Sequence, residues 1–228
     1  MRAKAFAQAL LLLVALAAIY GQVQTAAGNG YTTWTAFYDD VESGNIGWDN
    51  STGTEGVYWH ITDETSHSPT HCWCTGPYPN DAWIVLVSPA ISLPSAGSLT
   101  LEFWHKYDIE TGWDYGYVEI STDGSSWTTL LTVTGHDSNW ARVSIDISNY
   151  SGYTVWIRFA LETDYSVTYD GWWIDDIAIL NIAPQHDVAV TELLLSDMLV
   201  EIGSSVDVQA TVKNLGVNDE ANVVVDLY

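Results

Sequence analysis

The sequence predicts an all-β protein whose main part is an antiparallel jelly-roll β-sandwich. Short segments rich in branched and aromatic residues alternate apolar and polar side chains, as in "SLTLEFWHKYDI" and "YGYVEIS". Gly, Asp, Asn and Ser separate these segments, and helical periodicity is absent after residue 27. Closely spaced strands without helices are typical of an antiparallel sandwich.

The predicted strands follow one another along the chain. We expect the first three near residues 35–41, 57–62 and 82–93, and the next two in the segments quoted above. "TDGSS" has the Asp-Gly signature of a hairpin turn and leads into "WTTLLTVT". "ARVSIDIS", "TVWIRFALET" and "WWIDDIAILNI" then complete a set of nine or ten strands.

Residues 1–27 are predicted to be an export signal. Basic residues in "MRAK" precede a 12-residue apolar run, Ala9 to Tyr20, which is too short to span a membrane comfortably. Cleavage is expected near Ala27, with Gly21 as the other position, and an uncleaved signal anchor is the alternative. We therefore expect a mature chain that is secreted, extracellular or at the cell surface, without insertion into the membrane.

The charge balance excludes one class of partner. The chain has 29 acidic and 6 basic residues and a formal net charge of −23. A nucleic-acid partner is excluded because no basic stripe is available to neutralise phosphates. This balance fits cation binding, a saline habitat or a solvated acidic surface. The expected partner is an extracellular protein or a glycan.

Two adjacent carboxylates lie at the centre of the apolar segment "YDGWWIDDIAIL". The two-residue period of a strand places Asp176 on the face of Trp172 and Ile174, and Asp175 on the opposite face. Neither face is polar, so we expect a central strand that encloses at least one Asp, and an isolated buried carboxylate costs several kcal/mol. Three arrangements remain open, namely hydrogen bonds from backbone N–H groups, pairing with Arg142 or Arg158, and a bound cation.

A second group of carboxylates lies in two loops at strand ends. It forms another cation site if the loops meet, and a solvated acidic rim, the simpler interpretation, if they do not. Its members are Asp108, Glu110, Asp114, Asp164 and Asp170.

Aromatic and sulfur-containing residues offer further candidates. Trp48, Trp113 and Trp140 stand beside turn residues and are candidates for binding sugar rings, although core packing or loop anchoring is the simpler interpretation. Cys72 and Cys74 are interpreted as structural thiols or a strained disulfide. No catalytic pair of carboxylates stands out from the acidic background.

Ordered motifs between about residues 34 and 182 resemble a known family. "SHSPTHCW", "LVSPAISL", "YDIE" with "DYGYVEISTDG", and "DGWWIDDIAI" resemble the MAM-like jelly-roll domain that follows the catalytic domain in immune inhibitor A metallopeptidases. The tail, with "TVKNLG", resembles the first half of a CARDB-type immunoglobulin-like adhesion repeat. We therefore expect a signal peptide at 1–27, a sandwich at 32–182, a linker at 183–186 and a partial immunoglobulin-like domain at 187–228. The last strand stops at Tyr228, which predicts a piece of a longer polypeptide.

The resemblance implies a structural calcium ion between the opening and last strands. Calcium prefers six to eight oxygen ligands. The carboxylates implied for this site are Asp40 (or Asp39), Glu42, Asp81, Asp175 and Asp176.

The zinc-binding HExxH motif of those peptidases is absent, so proteolysis is not carried over. We expect a secreted, calcium-stabilised, non-catalytic adhesion or binding module of a larger extracellular protein. The alternatives are a carbohydrate-binding module and an accessory domain of a secreted hydrolase.

Overall fold

The structure is a computed structural model that describes residues 23–24, 31–51, 53–184, 188–195 and 208–214. The predicted signal segment lies outside the described residues, except for Val23–Gln24, which pairs with the strand beginning at Tyr31. Cleavage near Gly21 would keep that short strand, and cleavage near Ala27 would remove it.

Fourteen strands are described, and twelve of them precede residue 185, where nine or ten were predicted. The additional strands arise because residues 23–24 and 72–74 also form strands and the strand predicted at 82–93 is divided in two. In chain order the fourteen strands are β1 Val23–Gln24, β2 Tyr31–Asp39, β3 His60–Thr62, β4 Cys72–Cys74, β5 Trp83–Val87, β6 Ile91–Ser92, β7 Ser98–Asp108, β8 Tyr115–Ser121, β9 Thr128–Val133, β10 His136–Asp146, β11 Thr154–Glu162, β12 Gly171–Pro184, β13 Val188–Leu195 and β14 Val208–Asn214.

Two antiparallel sheets form a sandwich. In the first sheet β12 is central: one edge pairs with β7, and the other edge pairs with β2 and, near its start, with β4. β10 extends the sheet beyond β7. The second sheet has the order β5-β11-β8-β9, with β6 also paired to β11. The described residues contain a 3₁₀ turn, Ser148–Tyr150, and no α-helix. The predicted all-β antiparallel sandwich is therefore confirmed.

Aromatic rings fill the space between the sheets. The ring centroid of Phe159 lies 5.2 Å from that of Phe103, 5.9 Å from Trp172 and 6.1 Å from Trp48. Phe159, Phe103 and Trp172 are fully buried, and Trp48 is 3% exposed. Trp48, which the sequence offered as an exposed sugar-binding candidate, is therefore a core residue. Its indole Nε1 donates a hydrogen bond of 2.7 Å to Asp39 Oδ2.

The hairpin predicted from the Asp-Gly turn is present. β8 and β9 pair antiparallel around the "TDGSS" turn. Asp123 Oδ1 accepts hydrogen bonds from the backbone N–H groups of Ser125 and Ser126, at 2.8 and 2.7 Å. These bonds fix the turn from within its own sequence.

Cys72 and Cys74 are free thiols buried on β4. The Cys72 thiol donates to the Thr65 carbonyl at 3.0 Å, and the Cys74 sulfur lies 3.2 Å from His60 Nε2. Burial raises the pKa of Cys74 to about 11, so this thiol is neutral at ordinary pH. Both residues are structural thiols rather than a disulfide.

The sandwich ends slightly later than the predicted boundary at residue 182. β12 continues to Pro184, which pairs with Tyr31, so the strand runs two residues into the predicted linker. A proline is tolerated there because it ends the strand. β13 and β14 pair antiparallel in the predicted second unit, whose other residues lie outside the described ranges. In the described part of the chain, no helix has the length and apolarity that a membrane span needs.

Candidate functional site

A β-bulge separates the two central carboxylates of β12. Asp175 pairs with Trp104 and Ala178 pairs with Glu102, so β12 has one residue more than β7 between these pairs. Asp176 adopts a positive φ of 48°. The predicted two-residue alternation is therefore wrong beyond this point, because Ile177 turns to the core face that Trp172 and Ile174 occupy.

Asp175 is the enclosed carboxylate. It is fully buried, and its Oδ2 accepts backbone hydrogen bonds from His67 at 2.8 Å and Ser68 at 3.0 Å. Its Oδ1 accepts a third from the Asp176 N–H at 2.8 Å. Burial nevertheless raises the pKa of Asp175 to about 6. This is the backbone-bonded arrangement that the sequence left open as an alternative to calcium.

Asp176 points to the outer surface of the first sheet. Its Oδ2 lies 2.5 Å from His67 Nδ1, and the Tyr38 hydroxyl donates to its Oδ1 at 3.5 Å. The predicted arginine partners bind elsewhere, because Arg142 pairs with Glu102 and Arg158 pairs with Glu119. Both aspartates thus hold the loop that precedes β4.

The carboxylates at the end of β2, Asp39, Asp40 and Glu42, also accept hydrogen bonds from nearby chain segments. Buried Asp39 accepts a hydrogen bond of 2.9 Å from the Val41 N–H, and burial raises its pKa. Asp40 accepts a bond of 3.2 Å from the Glu42 N–H. Glu42 Oε1 accepts backbone bonds from residues 70 and 71 at 2.9 and 2.8 Å. The Thr70 hydroxyl, the largest cause, lowers the pKa of Glu42 to about 2.

The first predicted calcium set is not brought together. Among the described residues, no three of Asp40, Glu42, Asp81, Asp175 and Asp176 offer ligand atoms within 4.8 Å of one another. Asp81 lies apart, because its backbone N–H donates to the Asp164 carbonyl at 2.7 Å. Asp175 already accepts backbone hydrogen bonds with both oxygens. Glu42 accepts them with Oε1, and its Oε2 is bonded by the Thr70 hydroxyl. This arrangement therefore does not present the set to a shared cation.

Three members of the second set do converge. Glu110, Asp114 and Asp164 each offer a ligand oxygen within 4.8 Å of the other two. Asp114 is fully buried, which contradicts the solvated rim that the sequence favoured at this position. Asp108 instead lies 3.0 Å from His136 Nδ1, and Asp170 is exposed outside the cluster.

The outer surface of the first sheet carries a pocket of about 290 Å³. We call this surface the open face. Trp104 and Ala178 line the pocket. It is also lined by four polar side chains, those of Tyr38, Glu102, Arg142 and Asp176. Burial and the charge of Asp176 raise the pKa of Tyr38 to about 12, so its hydroxyl remains a donor at ordinary pH. Sequence reasoning missed this site, although the alternation along β7 places Glu102 and Trp104 on one face.

Aromatic rings continue the open face beyond the pocket. His67 stacks on Trp104 with centroids 3.8 Å apart. The Lys106 ammonium lies 5.1 Å from the ring centroid of Trp173 and 5.4 Å from that of Trp140. Trp140, a predicted sugar-binding candidate, is therefore half-buried beside Lys106 on this face. Trp113, the third candidate, is 60% exposed in the β7–β8 loop.

We expect the free energy of unfolding to be larger at about pH 5 than at about pH 7.5, because burial raises the pKa of Asp175. The contribution of that carboxyl is complete below its ordinary pKa of 3.8 and is lost as the pH rises through about 6. Glu42 has the opposite effect, because its pKa is lowered. Its contribution to the free energy of unfolding is complete above its ordinary pKa of 4.5 and is lost as the pH falls toward about 2. Urea denaturation across this range measures the effect, and a midpoint that rises steadily to pH 7.5 contradicts it.

The chain is similar in fold to adhesin and carbohydrate-binding domains of known structure. No protein-family profile matches it. The K3 cleaved adhesin domain of Lys-gingipain from Porphyromonas gingivalis W83 is 20% identical, with a TM-score of 0.49, over 65% of this chain and 98% of that one. TmCBM61 in complex with β-1,4-galactotriose is 15% identical, with a TM-score of 0.44, over 63% and 92%. The CBM22-1 xylan-binding domain of Paenibacillus barcinonensis Xyn10C is 15% identical, with a TM-score of 0.44, over 68% and 96%.

A curated protein shares a segment with this chain. Bacillopeptidase F of Bacillus subtilis (strain 168) is 38% identical over 106 residues. The match covers 46% of this chain and 7% of the relative's length. The chain is therefore similar to one short part of a much longer peptidase.

Proposed function

We propose that this chain is a non-catalytic extracellular binding module, secreted or displayed at the cell surface, which binds a glycan on its open face. The observation that carries the proposal is the pocket of about 290 Å³, where Trp104 stands beside an arginine–carboxylate pair. Small-ligand sites combine apolar and aromatic walls with a few polar groups, and this pocket has both.

The chemistry of the pocket suits sugar hydroxyl groups. Arg142 offers N–H donors, Glu102 and Asp176 offer acceptors, and the Tyr38 hydroxyl can do both. His67 covers one face of the Trp104 ring, and we assign the other face to the C–H groups of a sugar ring. A net charge of −23 repels anionic polymers, so the expected ligand is a neutral glycan.

Binding is expected to depend on the pocket residues. We expect the full chain to be retained on at least one neutral polysaccharide, with insoluble xylan and β-1,4-galactan as the first probes. Trp104→Ala and Arg142→Ala should each weaken binding by about tenfold or more, because each removes a central contact of the pocket. Affinity electrophoresis and a glycan array measure this.

The matched control is Trp113→Ala, which removes an exposed tryptophan in the β7–β8 loop that does not line the pocket. It should leave binding unchanged within about twofold. Equal binding by the two pocket variants and the wild type contradicts the proposal, and so does an absence of binding to every polysaccharide on the array.

A second candidate is an accessory domain of an extracellular peptidase. The shared segment with Bacillopeptidase F favours it. This candidate and glycan binding are compatible, since an accessory domain can hold an enzyme near its substrate. It predicts a peptidase domain in the same open reading frame, and reading the gene on both sides of the chain tests it.

A further inference from the structure

Two loops meet at one end of the sandwich. Residues 109–114 join β7 to β8, and residues 163–170 join β11 to β12. The Asp164 backbone N–H donates a hydrogen bond of 2.8 Å to Asp114 Oδ1. One oxygen from each of Glu110, Asp114 and Asp164 lies within 4.8 Å of the other two. The loops therefore bring three carboxylates to one point.

One of the three carboxylates is enclosed, and two have an oxygen without a partner among the described residues. Asp114 is fully buried, yet its Oδ2 has no hydrogen-bond partner in the described part of the chain. Glu110 Oε2 is also buried without a partner there. A buried polar atom that has lost its water costs free energy unless another group replaces the lost bonds. The Tyr78 hydroxyl, which accepts the Glu110 N–H at 3.1 Å, is the described neighbour of the Asp114 carboxylate. One neutral hydroxyl does not balance a buried carboxylate, so the two oxygens call for a further ligand.

None of the three basic side chains described in the sandwich is paired with this cluster. Arg142 and Arg158 pair with Glu102 and Glu119, and the Lys106 ammonium donates to the Thr65 hydroxyl. Mutual repulsion of three carboxylates, one of them fully buried, destabilises the folded chain unless a cation is present.

We propose that Glu110, Asp114 and Asp164 bind one calcium ion. The cluster offers carboxylate oxygens and no nitrogen or sulfur, which selects a hard cation. Calcium takes six to eight oxygens at about 2.3–2.6 Å, so oxygens within 4.8 Å of one another fit a single coordination shell. Three carboxylates supply up to six oxygens, and water can complete the shell.

The ion would join two loops that differ in sequence position by about fifty residues. Trp113 and Tyr165, which directly adjoin the ligands Asp114 and Asp164, are 60% and 72% exposed. Calcium would therefore hold both the end of the sandwich and the exposed aromatic residues beside it. This role is independent of glycan binding on the open face.

The test compares thermal unfolding of the full chain in calcium chloride and in EDTA. Calcium at about a hundred times its Kd should raise the wild-type Tm by about 5–10 °C. Asp114→Asn should abolish this shift, because it removes an enclosed ligand charge. The same variant should melt above the wild type in EDTA, because it also removes part of the repulsion. A purely structural role for Asp114 would produce neither the lost shift nor the higher apo Tm.

The matched control is Asp170→Asn, which removes an exposed acid from the same loop but outside the cluster. It should keep the calcium shift. Terbium emission sensitised by nearby aromatic rings gives a second measurement on any variant that folds poorly, and calcium should displace the terbium. An unchanged wild-type Tm in calcium overturns the proposal. A shift that survives Asp114→Asn but disappears in Glu42→Gln also overturns it, since the ion would then lie elsewhere.

Discussion

Replacing Gly171 with alanine should destabilise the fold by about 4 kcal/mol, a large part of the roughly 5–15 kcal/mol by which folded domains are stable. Gly171 begins β12 with a φ of 106°, a conformation that other residues rarely adopt. An added Cβ would lie 2.3 Å from the Gly76 carbonyl oxygen and 2.3 Å from Thr75 Oγ1. Relieving the overlap would break the two bonds of 3.0 Å that join Thr75 and Trp172 at the start of the strand.

The matched control is Gly112→Ala. Gly112 also has a positive φ, 76°, but no atom lies within 4 Å of its added Cβ. This change should cost about 1 kcal/mol, the backbone penalty alone. Urea denaturation of both variants separates steric overlap from backbone strain. Equal midpoints for the two variants would show that the contact with Gly76 tolerates a side chain.

Asp175→Ala should lower the free energy of unfolding by about 3 kcal/mol at pH 7. The change leaves the backbone N–H groups of His67, Ser68 and Asp176 without their acceptor in a buried place. Removing the buried charge offsets part of this loss, because burial raises the pKa of Asp175 to about 6. The variant should also flatten the pH dependence of stability between about pH 4 and 7.

Asp146→Ala provides the comparison. Asp146 is exposed and accepts one backbone bond of 2.9 Å from Ser148. Its removal should cost about 1 kcal/mol, since water can replace the lost bond. Denaturation at about pH 5 and about pH 7.5 should therefore show a larger and more pH-dependent loss for Asp175→Ala. Similar losses in the two variants would contradict the structural importance of the buried carboxylate.

The sandwich could be predicted because its signals are local. Alternation along β7 and β8 and the Asp-Gly turn after β8 each involve neighbouring residues, and the structure confirms all three. The absence of helical periodicity has the same local character. Fold class depends on these patterns, so no long-range contact had to be known.

The site could be predicted only in part. Enclosure of one central Asp was expected and is confirmed by Asp175, but the bulge at Asp176 inserts a residue and reverses the faces that follow. Nothing in the local pattern marks a bulge, because it depends on how β7 and β12 align. Asp81 was predicted to share a calcium site with the aspartates of the last strand. Its backbone N–H instead donates to the Asp164 carbonyl, which places Asp81 beside the loop of residues 163–170.

The burial of single residues was also hard to predict from the sequence, because it depends on contacts between distant segments. Trp48 stands beside a glycine and was offered as a candidate for exposure, with core packing as the simpler interpretation. Core packing is confirmed, because Asp39 accepts the indole N–H of Trp48 and holds it in the core. The convergence of Glu110 and Asp114 with Asp164 likewise depends on two distant loops meeting. Such contacts are properties of the assembled sheets and not of any segment.

The position of β12 determines the order in which the sandwich can be completed. During translation β2, β4 and β7 leave the ribosome first, and each pairs in the finished sheet with a strand that begins at Gly171. Until that strand emerges, the nascent chain presents strand edges without their native neighbours, the kind of surface that chaperones protect. Closure is therefore a late event, which suits a polypeptide whose predicted leader would send it through a translocation channel before it folds.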